Sequence, residues 1–358
     1  MVRMPLRPTR ALLSAALALG AACAAPPLAR HEVARPVMGT TFRLVLYAPD
    51  APAACAAAAA VWARLDELDG ILSDYDAASE LSRLSGRPPG ELVPVSPELW
   101  AVLARAAEVA EQSGGAFDVT VGPCVRLWRR ARRQGELPAP ERLAAARAAV
   151  GFEKLALDRE RRAVALRAPG MQLDLGGIAK GYALDEVLRL LRARGIERAL
   201  IDGGGDVAAG APPPGRAAWS VALEPFAPGA DGAPATRVAL AHGAAATSGD
   251  AAQYVEIDGV RYSHLLDPRT GLGLTRRIAA TVLAPSGIEA DALASALCVL
   301  GPERGLELVE RTPGVEARVV LLADGRERAL ESSGFGRRML RSPAPTPAPP
   351  SETGVEPR

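Results

Sequence analysis

Lysine is nearly missing from this chain: of its 42 basic residues only Lys154 and Lys180 are lysines. That is a habit of composition, and no mechanism is read from it. An excess of one charge sign is missing too, since 41 acidic residues leave a formal net charge of +1. The balance excludes nucleic acid as a partner, which calls for a concentrated basic face. The apolar stretch near the N-terminus, residues 11–22, is too short to cross a bilayer as a helix, which takes about 20 residues. Cysteine is scarce, and Cys23, Cys55, Cys124 and Cys298 have no metal-type spacing. Cys55, Cys124 and Cys298 are expected as small buried hydrophobes, with neither a zinc site nor a disulfide framework. Histidine is scarcer still, with His31, His242 and His264. What the chain does have is apolar material, 49% of 358 residues, ample for a core and incompatible with wholesale disorder.

Arg3, Arg7 and Arg10 precede the 11–22 stretch. A basic segment, a short apolar segment and then small residues make an export signal, so residues 1–22 are expected to be an address, leading to the periplasmic side of a bacterial membrane. Two endings stay open. Leu19-Gly20-Ala21-Ala22-Cys23 resembles a bacterial lipobox, which makes Cys23 the lipidated first residue, although Gly20 stands where a larger aliphatic is expected. Cleavage among residues 21–25 leaves a soluble protein instead. The lipid anchor is the preferred reading, and membrane contact is expected through it alone.

Length would allow two or three domains, but the elements read as one α+β domain over residues 33–341. A polar leader holding His31 comes first, then a strand over 41–47 and an alanine-rich helix from 50 or 51 to 68. Ser96-Pro97 is a helix start, and Gly114-Gly115 sits where that helix should stop. A helix over 140–150, a hairpin over 152–168, a strand over 171–175, a helix over 179–194 and a strand over 197–202 follow. The second half is mostly strands, at 218–224, 236–242, 253–257 and 260–265, the last two joined by the hairpin turn Asp258-Gly259. A strand over 278–283, helices over 288–300 and 303–311, and a hairpin over 317–330 tipped by Asp324-Gly325 complete it. Helices and hairpins mix without regular β-α-β alternation. Residues 210–216 and 225–234 are Pro/Gly-rich loops, and the proline-rich tail 342–358 is expected to be disordered.

Four segments could carry chemistry. In Asp174-Leu175-Gly176-Gly177-Ile178-Ala179-Lys180-Gly181 a strand ends on a carboxylate, glycines turn, and a helix opens. Such a turn can admit phosphate to a helix N-terminus or be only a tight turn; it is not a Walker A loop. Gly203, Gly205 and Ala208 formally fit a dinucleotide fingerprint, but Gly210-Ala211-Pro212 follows where a helix should, so a turn or a pocket-lining strand end remains. His264, at a strand end beside Leu265-Leu266-Asp267, suits a general base or a phosphate contact; the plainer alternative is a structural hydrogen bond to Asp267. Asp291 and Ser295, at i and i+4, share a helical face and suit a hard cation such as Mg²⁺. The plainer alternative makes Asp291 a first-turn acid favoured by the helix dipole.

Taken together and in order, these segments resemble the FAD:protein FMN transferase family, the ApbE family of exported flavin transferases. The resemblance runs from about Pro36 to Arg311. It rests on Met38-Gly39-Thr40, Ser73-Asp74-Tyr75 with Ser79-Glu80-Leu81-Ser82, and Gly114-Gly115-Ala116-Phe117-Asp118 through Pro123 with Trp128. It continues in Asp174 to Gly181, Gly204-Gly205-Asp206, Thr247-Ser248-Gly249-Asp250, His264 to Gly271 and Asp291 to Ser295. It implies an ApbE-like, T-fold-like catalytic domain that cleaves the FAD pyrophosphate, transfers FMN to a threonine hydroxyl of an exported or membrane redox protein, and releases AMP. Met38, Tyr75, Ala116, Phe117, Asp118, Asp174 and Lys180 would contact FAD, with Leu265 or Leu266 adding main-chain contacts. Gly177, by its carbonyl, Asp291 and Ser295 would hold Mg²⁺, with Ala294 nearby. His264 is the candidate base and Asp250 the second. Ser295 departs from the threonine usual there, keeping the hydroxyl but losing the stiffening β-branch. Two other outcomes fit the same pocket: an FAD pyrophosphatase yielding FMN and AMP, and a non-catalytic exported FAD-binding lipoprotein.

Overall fold

Strands β1 (Ala29–Val37) and β2 (Thr40–Ala48) pair antiparallel over their full length, and Met38 and Gly39 between them take φ of 49° and 73°, the left-handed turn whose twist suits a hairpin. The computed structural model describes residues 27–223, 236–250, 253–323 and 325–340; the expected signal over 1–22, Cys23, the loop 225–234, Asp324 and the tail 342–358 lie outside these described residues. Strand β1 corrects the polar leader expected here. It is an edge strand, mostly exposed, carrying Arg30, Glu32, Arg35 and Pro36. Charge and proline are what a solvent-facing edge tolerates, and they erase the alternation that marks a strand.

Helix α1 (Ala51–Leu72) starts at Asp50, whose carboxylate accepts the N–H of Ala53 at 2.8 Å. It buries Ala54, Ala57, Ala58, Val61, Leu65, Leu68 and Leu72, a stripe at helical spacing. Then come α2 (Glu80–Ser85), β3 (Val93–Pro94) and α3 (Pro97–Gln112), the last capped by Ser96 as expected, its hydroxyl accepting from Leu99 N at 3.2 Å. Helix α4 (Gly122–Gln134), not foreseen, precedes α5 (Pro140–Ala148) and the hairpin β4 (Leu155–Asp158) and β5 (Ala163–Leu166). The strand expected over 171–175 is instead an extended segment with a single bridge from Gln172 to Val121.

Next are α6 (Ala179–Ala193), β6 (Ala199–Gly203), β7 (Asp206–Ala209), β8 (Trp219–Leu223), β9 (Thr236–Leu240) and β10 (Gly243–Gly249). Strands β6 and β7 form a hairpin through Gly204 and Gly205, at φ 73° and 99°, so the glycines there make a turn and no dinucleotide loop. The hairpin β11 (Tyr254–Ile257) and β12 (Val260–Ser263) turns at Asp258-Gly259 as the sequence predicts. Short strands β13 (Leu266–Asp267) and β14 (Leu272–Gly273), then β15 (Ile278–Ala284), α7 (Gly287–Leu300), α8 (Pro302–Glu310), β16 (Glu316–Ala323), β17 (Arg326–Glu331) and β18 (Met339–Leu340) complete the fold.

The fold is α+β. Its spine is an antiparallel sheet in the order β1-β2-β6-β7-β10-β15-β16-β17. Alternation along β2 splits its side chains between two cores: Phe42, Leu44 and Leu46 join the helices α1, α3, α6, α7 and α8, whereas Val45 joins Trp219, Val221, Val238 and Phe335 beneath the small sheet β8-β9-β18. The sheet is thus covered on both faces, as a layered domain requires. Among the described cysteines, Cys124 and Cys298 are buried as expected, but Cys55 is exposed on α1. An alanine run offers no pattern to tell the inner face of a helix from the outer.

Helices α6 and α7 meet through glycine. A Cβ on Gly181 would run into the carbonyl of Gly287 and stand 2.8 Å from the Asp291 Cβ, and one on Gly287 would run into the carbonyl of Gly181. Each helix also caps the other. Neither Ile178 nor Ser286, the cap residues, makes a side-chain cap. Instead Asp291 accepts Gly181 N at 3.0 Å, while Asp185 accepts Gly287 N at 2.6 Å and Ile288 N at 2.9 Å. Both helices therefore carry a glycine with an aspartate four residues on, the glycine for approach and the aspartate for the neighbour's unpaired N–H groups.

Candidate active site

That crossing places the first wall of the site. Asp291 is 2% exposed, and burial pushes its carboxyl up to about 7 even though the Lys180 ammonium and the Gly181 N–H pull it down. Lys180 Nζ lies 2.7 Å from Asp206 Oδ2 and 3.7 Å from Asp291 Oδ1. Burial pulls the lysine's pKa down, yet the two carboxylates more than offset this and hold the ammonium charged. Asp206 Oδ1 in turn accepts Thr247 N at 3.2 Å, which ties β7 to β10 beneath the lysine. One helical turn after Asp291, Ser295 Oγ sits 3.1 Å from Ser248 Oγ. A Cβ on Gly177 would stand 2.8 Å from Ser295 Oγ and 3.3 Å from the Phe117 ring, so the glycine leaves space that a side chain would fill. Ala294 is fully buried beside Ser295.

The second wall gathers Tyr75 and Asp174 around a residue that sequence reasoning missed. Arg129, on α4, reaches Asp74 Oδ2 at 2.5 Å and Asp174 Oδ2 at 3.0 Å, and its guanidinium lies 4.1 Å from the centroid of the Tyr75 ring. Burial, then the Asp74 charge, push the Asp174 carboxyl up, opposed by the Gly176 N–H and Arg129. Nearby, in the turn after α3, Gly114 and Gly115 have φ of 61° and 76° and lead into Ala116, Phe117 and Asp118, all buried. Asp118 accepts Thr120 N and Oγ1 at 2.8 and 2.7 Å, so it braces its own loop, while burial raises its pKa. Met38 packs against the helical core from the β1–β2 turn.

The third wall is the β11–β12 hairpin. Trp128 of α4, 1% exposed, donates its indole N–H to the Ser263 carbonyl at 3.1 Å and stands edge-on to Tyr262 at 5.4 Å. This anchors the residue before His264. His264 is half-buried, and its Nδ1 lies 3.2 Å from the Gln253 carbonyl. A carbonyl only accepts, so Nδ1 carries the proton and Nε2 keeps its lone pair. Burial lowers the His264 pKa, and the Arg132 and Lys180 charges lower it further, against the Gln253 carbonyl and Asp250. The structural alternative for this histidine is not what forms, since Asp267 is held by Arg269 at 2.6 and 2.8 Å. Asp250 is 2% exposed and held by Arg261 Nε at 3.0 Å, with Arg277 Nε at 3.6 Å; its Oδ1 is buried without a hydrogen-bond partner among the described residues. Leu265 N donates to Ser263 Oγ at 3.0 Å, and Leu266 pairs with Gly273 in β13.

A model of the ApbE family matches residues 38–319. The chain belongs to the ApbE family. It is 34% identical over 325 residues to the FAD:protein FMN transferase of Vibrio cholerae, covering 89% of this chain and 96% of that protein. It is 35% identical over 312 residues to the FAD:protein FMN transferase of Treponema pallidum, covering 82% and 84%. Among solved structures, the flavin transferase ApbE from Vibrio cholerae matches with a TM-score of 0.78 at 31% identity, covering 87% of this chain and all of that one.

For an ApbE chain the donor set around Gly177 has a plain chemical reading. A main-chain carbonyl, a carboxylate and a hydroxyl are hard oxygen donors of the kind Mg²⁺ takes. The desolvated Asp291 carboxyl gains from an added cation, and the space kept open at Gly177 lies against the Ser295 hydroxyl. No three His, Cys, Asp or Glu side chains among the described residues converge as a metal site, so a cation held here relies on water and substrate oxygens for its other positions. The residues present fit such an ion. Residues that sequence reasoning did not single out include Asp206, Ser248, Arg129 and Arg261. Asp206 and Ser248 had a signal, lying within the Gly204-Gly205-Asp206 and Thr247-Ser248-Gly249-Asp250 stretches.

Proposed function

We propose that this chain is an FAD:protein FMN transferase: it binds FAD, breaks the diphosphate bridge, and passes FMN to a threonine hydroxyl of an acceptor protein with release of AMP. Support comes from membership of a family whose relatives carry that name, together with one observation on this chain: Lys180 pairs with Asp291 at 3.7 Å, one helical turn before the Ser295 hydroxyl that faces Gly177, and the Lys180 charge reaches His264. The threonine oxygen attacks the FMN phosphorus, the bond from that phosphorus to the bridging oxygen breaks, and AMP leaves with the bridging oxygen. His264 Nε2 accepts the proton of the threonine hydroxyl, and Lys180 balances charge on the phosphate oxygens. Mg²⁺ held by Gly177, Asp291 and Ser295 would screen the diphosphate charge and stabilise the leaving phosphate. Asp250 is the second candidate base, with its Oδ2 tied to Arg261 Nε at 3.0 Å. Tyr75, Asp174, Phe117 and Met38 supply the walls for FAD, with Ala116, Asp118 and the main chain of Leu265 and Leu266.

The signal over residues 1–22 supports export to the periplasmic side of a bacterial membrane with Cys23 as lipid anchor, and an exported or membrane redox protein is the acceptor class that location favours. Mass spectrometry of the mature N-terminus tests the anchor: a diacylglyceryl adduct on Cys23 supports it, and an unmodified terminus among residues 21–25 overturns it. The activity is tested by incubating the protein with FAD and Mg²⁺, with and without a threonine-containing acceptor protein. AMP matched by protein-bound flavin, and only with acceptor, is the expected result. AMP with free FMN and no acceptor would make the protein a pyrophosphatase, and FAD binding without AMP would make it a carrier.

A further inference from the structure

Arg129 touches two residues of the proposed FAD wall, Asp174 and Tyr75. Its terminal nitrogens go to carboxylates on two different segments, Asp74 in the turn after α1 and Asp174 in the turn before α6, and its Cζ lies over the Tyr75 ring, 4.1 Å from the centroid. The three segments are far apart in sequence, and one guanidinium joins them. Tyr75 is 79% exposed, so with one ring face on Arg129 the other is open. An exposed aromatic held flat by a cation is a shelf for a planar ring. Only arginine offers a planar fork for two carboxylates together with a stacking face. The loop also holds itself from below: Ser79 Oγ donates to the Ser73 carbonyl at 2.5 Å, and Tyr75 N donates to Ser73 Oγ at 3.3 Å.

We propose that Arg129 is a positioning residue for FAD: it sets Tyr75 and Asp174 at the separation at which one ring system of FAD lies on the open face of Tyr75. This rests on the FAD reading above. Arg129 does not enter the phosphoryl transfer, so its effect falls on FAD binding and on KM more than on kcat.

The test is a fluorescence titration of FAD against the wild type, R129Q, R129K, Y75A and the double variant R129Q/Y75A, with thermal melts of each. R129Q is expected to weaken FAD binding about tenfold, and R129K nearly as much because an ammonium lacks the fork and the flat face. In the Y75A background R129Q should add less than about twofold, the non-additivity of two residues acting as a unit. R129Q binding like the wild type, or effects that simply multiply, would overturn the proposal. Should R129Q melt too low to titrate, R129K keeps the charge and carries the same cycle. A wild type that binds no FAD would overturn the underlying reading, and the proposal with it.

Discussion

The α6–α7 crossing and the β11–β12 hairpin both deliver chemical groups to the site, but they are built differently. At the crossing, two glycines let the backbones touch, each helix caps the other with an aspartate, and Asp291 and Ser295 are set by packing against the sheet. The hairpin has two four-residue strands paired only with each other, and is held by Trp128, by the Arg261–Asp250 pair and by Arg261 over the Tyr254 ring at 3.2 Å. The groups that would hold the diphosphate thus belong to the most over-determined part of the fold. The candidate base follows a two-stranded element that lies outside the eight-stranded sheet. Stability and activity should be inseparable at the crossing's glycines and separable at the hairpin.

The largest effect expected is on catalysis at the crossing itself. Asp291→Asn keeps an oxygen for Gly181 N but removes the charge, so AMP release should fall by about a thousandfold, the several kcal/mol a metal ligand supplies, with the melting temperature little changed. Chelation of divalent cations should match it, and a variant retaining wild-type turnover would remove Asp291 from the site. Gly181→Ala comes next. Its Cβ meets backbone at Gly287, so a loss of about 3 kcal/mol and on the order of 10 °C in a thermal melt should accompany lost activity; an unshifted melt would show that the crossing can relax.

At the hairpin, His264→Ala should slow FMN transfer about a hundredfold while FAD binding and the melt stay near wild type. Because burial lowers the histidine's pKa from its ordinary 6.5, the imidazole is already neutral at pH 7. With Mg²⁺ saturating, the acid limb that His264 contributes to kcat/KM should lie below the ordinary histidine value of 6.5 and be lost in His264→Ala; an acid limb unchanged in that variant would contradict the assignment. The smallest effect is expected for Ser295→Thr, under about threefold in the metal dependence of AMP release. Ser248 already holds the Ser295 hydroxyl at 3.1 Å, so the added β-branch restricts a group that is no longer free.

Much of this comparison can be read in the chain where the signal is local. Ser96-Pro97, Asp258-Gly259 and the apolar stripe of α1 are short-range patterns, and the structure follows them. Helix α4 also carried a readable stripe, since Cys124, Trp128 and Ala131 are its buried face, but its five arginines masked it. Strands β7 and β10 went unread because Ala208-Ala209 and Gly243-Ala244-Ala245-Ala246 have no alternation, being buried on both faces of the sheet. The ordered set of motifs identified the candidate site residues, yet Asp291 as a helix cap, Asp206 beneath Lys180 and Arg129 between two turns are contacts across 110, 26 and 45 or more residues.

By itself the sequence determined the family resemblance, the α+β class, the turns and helix starts, and the kinds of group available for chemistry, because each depends on residues within a turn or two of one another. Tertiary structure alone decided that β1 is an edge strand, that Asp185 and Asp291 exchange helix ends, that His264 turns its Nδ1 to the Gln253 carbonyl, and that one arginine braces the Tyr75 shelf. A carboxylate or a guanidinium takes its role from what is buried beside it, and burial is a property of the whole fold.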